Sequence, residues 1–191
     1  MAASYLTPAD FRGTGLPLDN SEKFPDPMIA DAVAEFEEIA EEYRGVAFTP
    51  REAEWTDPDR CHWYGPRRVL LPHSKIITVT TTLDDDDYTD PLILDSEAGI
   101  LTLPLYGAWV VTYTHGYSTP PRLILAACRD YVTLCCLRSL SGTSREAIAT
   151  SADGVTYRYS TPDPAAGRPT GYMDVDRRLN MVADHRVPGI A

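Results

Sequence analysis

Residues Val110 to Leu125 read Val-Val-Thr-Tyr-Thr-His-Gly-Tyr-Ser-Thr-Pro-Pro-Arg-Leu-Ile-Leu, and this stretch decides the fold. Val110, Thr112 and Thr114 alternate with Val111, Tyr113 and His115, a β-branched and aromatic run with the two-residue period of a strand. Gly116 and Tyr117 break that period. Pro120 and Pro121 then mark the entry to a long apolar helix, since proline suits the first turn and little else in a helix. A strand, a glycine turn and a helix joined this tightly predict an α+β fold.

Downstream, the helix is predicted from about Pro121 to Leu140, ending at Ser141-Gly142. It is apolar nearly all round, through Leu123, Ile124, Leu125, Ala127, Cys128, Tyr131, Val132, Leu134, Cys135, Leu137 and Leu140. Such a helix is buried on most sides. In a chain of 191 residues this predicts that a neighbouring subunit covers part of it, with Leu123, Ile124, Ala127, Tyr131 and Leu134 as the packing face. Further on, Ala147–Ser151 and Val155–Tyr159 read as a hairpin around Asp153-Gly154. A proline-rich connection over 161–171 leads to a short helix with Tyr172, Val175, Leu179 and Val182 on one side. The tail is 184–191.

Upstream, residues 46–116 have strand character and predict an inserted antiparallel β-subdomain. Its candidate strands are Val46–Phe48, Ala53–Thr56, Arg67–Leu71, Lys75–Leu83, Pro91–Leu94 and Ile100–Leu103, with Asp84–Asp87 as a turn. Before it, Asp26 as N-cap and Pro27 as first residue predict a helix running to Arg44, with Gly45 as its stop. Ile29, Val33, Phe36, Ile39, Ala40 and Tyr43 share one side of that helix. Asp31, Glu35, Glu38 and Glu42 form an acidic stripe on another, either a solvated face or a ridge turned to a basic partner or a channel. Residues 1–25 read as an extended arm with one short helical turn.

The composition narrows the function. Seventeen Lys and Arg against 28 Asp and Glu give a net charge of -11, which argues against gripping duplex DNA through its phosphates. No apolar run is long enough to span a membrane, and the start lacks a signal-peptide pattern. Cys128 and Cys135 lie roughly 10 Å apart along a helix, too far for a disulfide, so reduced buried thiols and a cytoplasmic origin are expected. The consecutive acids Asp84–Asp87 lack the spacing of a calcium loop. Cys61, His62, His73 and His115 lack a zinc half-site, so no metal and no cofactor is expected. There is no nucleophile elbow or phosphate loop. His115 is the best general-base candidate, for a rival reading as a small acidic cytoplasmic enzyme. Trp55, Trp63, Tyr64 and Trp109 would serve a further rival, a β-rich binding module.

Taken in order, Gly65–His73, Tyr113–Tyr117, Pro120-Pro121 with its apolar helix, Thr150–Tyr157, Gly171–Asn180 and Arg186–Gly189 resemble the head-to-tail adaptors of long-tailed bacteriophages, most of all those infecting actinobacteria. The resemblance implies a virion structural protein without catalysis. It would be made in the host cytoplasm and located in the virion neck, at the portal vertex. It implies a homo-oligomeric ring, commonly of twelve subunits, beneath the portal protein. The ring would join a stopper or tail-completion protein and pass genomic double-stranded DNA without specific binding. By position, Arg186, Val187, Pro188, Gly189, Ile190 and Ala191 become candidate portal contacts, and Asp31, Glu35, Glu38 and Glu42 a candidate channel-facing ridge. A stopper or tail-completion protein is the nearest alternative.

Overall fold

A computed structural model describes residues 4–56, 67–83, 86–88, 92–103, 109–140, 149–152, 155–158 and 161–182. The fold is α+β, with three α-helices and antiparallel sheets among the described residues. The chain divides into two compact units, a β unit containing Gly45–Thr119 and a helical unit made of Ser4–Arg44 and Pro120–Ala183. The insertion was expected over 46–116; the β unit contains 45–119.

In the β unit, β7 (Trp109–His115) lies between β1 (Arg51–Thr56) and β3 (Ile76–Leu83), with β4 (Asp86–Tyr88) beyond β3. Every pairing is antiparallel. A second sheet orders β2 (Arg67–Leu70), β6 (Ile100–Leu103) and β5 (Leu92–Asp95). The period of two is visible in β7, where Trp109, Val111, Tyr113 and His115 are buried and the intervening residues are not. Leu71, Ile76, Leu101 and Leu103 pack with those inward β7 side chains in one core shared by both sheets.

Two expectations are corrected here. Val46–Phe48 forms no strand. It is a buried connection whose Ala47 carbonyl accepts a backbone bond from Tyr117 N–H at 3.0 Å. Asp86 and Asp87 belong to β4, opposite Leu83 and Thr82, because a two-residue connection suffices for an antiparallel hairpin. Asp84 and Asp85 lie outside the described residues.

The helical unit holds α1 (Asp26–Arg44), α2 (Arg122–Leu140) and α3 (Met173–Asn180), with the hairpin β8 (Ala149–Ala152) and β9 (Val155–Arg158). Asp26 is the first residue of α1, not its cap, since the Ile29 N–H already bonds Pro25 O. Its carboxylate instead meets the Arg12 guanidinium at 2.5 Å, and Arg12 also donates to Leu18 O and to Phe24 O. That fork folds the N-terminal segment back. Tyr5, Leu6, Phe11, Leu18 and Phe24 are buried, so residues 4–25 are a packed cover with one 3₁₀ turn (Pro8–Phe11), where an extended arm was expected.

Gly116 joins β7 to the connection before α2. Its φ is +102°, and a Cβ there would lie 2.7 Å from both Ala47 O and Thr49 O. Its own N–H bonds Lys75 O at 2.9 Å. Gly116→Ala is expected to lower the stability of the β unit by about 3 kcal/mol through strain and backbone displacement. An unchanged urea midpoint would refute this account of the turn.

Candidate functional site

The chemistry-bearing side chains of the β unit gather at the end of β7. The His73 and His115 rings stack with centroids 3.9 Å apart and planes 16° apart, and Tyr113 Oη lies 2.7 Å from His73 Nδ1. His115 is 7% exposed, while His73 sits outside it, nearer solvent. Arg51 on β1 and Ile76 on β3 are the cross-strand partners of His115. Burial, then the neighbouring charges of His73 and Arg51, push the His115 pKa down to about 4. Burial also lowers His73 and raises the Tyr113 phenol to about 12.

This arrangement keeps both imidazoles neutral at pH 7. A general base works best with a pKa near the operating pH and is usually oriented by a further group. The charged groups acting on His115 are instead two bases, and among the described residues no carboxylate contacts it. No cluster of three or more metal-ligating side chains occurs among the described residues either. The binding-module rival loses two of its aromatics: Trp109 is 1% exposed in the core and Trp55 packs against it. Trp63 and Tyr64, with Cys61 and His62, lie outside the described residues.

Beside the histidines is a cleft of about 240 Å³ lined by Lys75, Glu97, Gly116 and Tyr117. Lys75 holds a left-handed φ of +54°. Its Nζ lies 2.6 Å from Glu97 Oε2 and 4.5 Å from the Tyr117 ring centre. Sequence reading missed this trio, because residues 75, 97 and 117 become neighbours only through the strand register.

The helical unit presents two contrasting faces. On α1, Asp31, Glu38 and Glu42 are exposed and Glu35 is half-buried, so the expected stripe exists as a surface. On α2 the expected packing face splits. Ile124, Ala127 and Tyr131 are fully buried within the chain's own unit, against α1 and α3, and are corrected from subunit contacts to core. Leu123 and Leu134 remain 41% and 40% exposed, joined by Leu137 and Leu140. Cys128 and Cys136 are buried, with thiol pKa values raised by that burial to about 12 and about 11. No helix among the described residues is long and apolar enough to cross a membrane. The candidate portal contacts Arg186–Ala191 lie outside the described residues.

No family model matches this chain, and no curated protein matches it.

A histidine kept neutral by the fold is protonated more readily in the unfolded chain. The unfolded state therefore binds more protons, and stability falls as pH drops from 6.5, the unperturbed value, toward about 4. His115→Phe keeps a ring against His73 and removes the titration. Between pH 7 and pH 4.5 the wild type should lose about 2–3 kcal/mol more than this variant. Equal losses in urea titrations would show that the stacked pair does not titrate with folding.

Proposed function

We propose that this protein is a structural component of a long-tailed bacteriophage neck, an adaptor that assembles as a ring beneath the portal and carries the stopper and tail. The observation that carries this reading is one of layout. The Tyr113–Tyr117 joint, Pro120-Pro121 and the apolar helix follow one another in the adaptor order, in a chain whose β unit is inserted between two 19-residue helices. The exposed leucines of α2 support it, since an apolar helix face on a small unit favours a subunit neighbour. The net charge of -11 supports it as well, because a chain this acidic does not grip the phosphates of a passing genome.

The reading is tested with DNA-filled, tail-less capsids mixed with the purified protein and imaged at the portal vertex. A new ring of density below the portal is expected. Deleting residues 184–191 is expected to abolish it, as the portal contact assigned to Arg186–Ala191 requires. Bare vertices, with folded protein and portals that accept tails from an extract, would refute the adaptor and turn attention to catalysis at His115.

A further inference from the structure

The exposed side of α2 carries two strips. Arg122 and Arg129 are exposed, lie within about 20° of each other around the helix, and are roughly 10 Å apart along it. Among the described residues neither forms an ion pair, and Arg129 acts on Asp10 only through space, as a minor influence. Leu137, Leu123 and Leu134 follow at about 60–120° to one side of Arg122, with Asp130 among them, its charge met by Arg178 of α3.

The exposed side of α1 carries the complement. Asp31, Glu35, Glu38 and Glu42 lie within about 60° of one another. The half-buried Met28 and Ile39 follow at about 60–80° to the same side. Seen from their N-termini, both helices thus place charge first and apolar surface next in the same rotational sense. Two facing helices with the same sense match strip to strip only when they run antiparallel. In that register Arg122 meets Glu42, and Arg129, seven residues further along, meets Glu35. Leu123 then reaches Ile39, while Leu134 and Leu137 reach Met28.

We infer that the α2 face of one copy docks on the acidic α1 face of a second copy, a head-to-tail contact between two different surfaces. The acids that the chain invites one to place along a channel serve the subunit boundary instead. A surface leucine cluster alone could take many occupants; the opposite charges at matched spacing select another copy of this chain. Heterologous contacts of this kind close into rings when the rotation between neighbours permits. The inference deepens the adaptor reading and rests on it for that closure.

The test is sedimentation velocity at ~0.15 M salt, where a Debye length of ~8 Å screens the mutual repulsion of the acidic subunits but leaves touching pairs intact. The variants are Arg122→Glu/Arg129→Glu on α2 and Glu38→Lys/Glu42→Lys on α1, each checked for native circular dichroism. The wild type is expected to sediment as an oligomer and each variant alone as a monomer, because reversal sets like charges face to face. Mixed in equal amounts, the two variants should co-assemble, since each supplies the face the other lost. A monomeric wild type, a reversed variant that assembles normally, or a mixture that stays monomeric would each overturn the contact. Capsid binding separates the two proposals. A wild type that self-associates by this rule yet leaves vertices bare overturns the adaptor and keeps the contact. Variants that still form rings on portals overturn the contact and keep the adaptor.

Discussion

Phe36 is fully buried, with the Tyr131 ring centre 5.5 Å away and the Tyr5 ring meeting it edge-on at 6.4 Å. Tyr131 in turn meets Tyr172 edge-on at 5.8 Å. One aromatic row therefore ties the N-terminal segment, α1, α2 and the entry to α3. The helical unit is assembled from two stretches of chain separated by the whole β unit, so no local propensity can hold it. Burial of large rings, each worth a few kcal/mol, is what draws the two stretches together. The orientations of the helices, and hence which of their faces remain outside, follow from that row.

A buried cation completes the unit. Arg44, 7% exposed, donates from its guanidinium to Asn180 O and Val182 O, the carbonyls left open where α3 ends. A positive charge at a helix C-terminus also meets the negative end of the helix dipole. Next to it Tyr43 Oη donates to Asn180 Oδ1 at 2.6 Å, and Asn180 Nδ2 donates to Gly167 O at 2.8 Å. The last turn of α1 thus holds α3 against the unit through directional bonds, whereas the aromatic row holds the helices through area. At the other end of α3, Thr170 donates through both N–H and Oγ1 to Asp176 Oδ1, at 2.9 and 2.7 Å.

Periodicity made α1 and the strands legible, because Val33, Phe36 and Ala40 or Val111 and Tyr113 repeat at spacings that only one kind of element can use. The same logic failed where periodicity was absent. Tyr5, Leu6, Phe11, Leu18 and Phe24 follow no fixed interval, so nothing in their spacing announces that they cover a core. On α2 the difficulty was the opposite. With leucine or cysteine on nearly every side, the sequence does not distinguish Ile124, which faces inward, from Leu123, which faces out. That choice belongs to tertiary packing, as does the meeting of His73 with His115 and of Lys75 with Glu97.

The distribution of charge also bears on what kind of assembly this chain can form. A two-fold dimer places a surface against its own copy. Built on α1 it would press acid on acid, and built on α2 it would press Arg122 and Arg129 against the same pair, leaving the leucines to overcome both repulsions. A contact between the two different faces satisfies charge and apolar surface together. The arrangement that favours head-to-tail addition therefore also opposes the symmetric dimer that would end growth at two subunits. A chain this acidic has to gain specificity from local exceptions to its overall sign, and Arg122 and Arg129, exposed and without ion-pair partners among the described residues, are such exceptions.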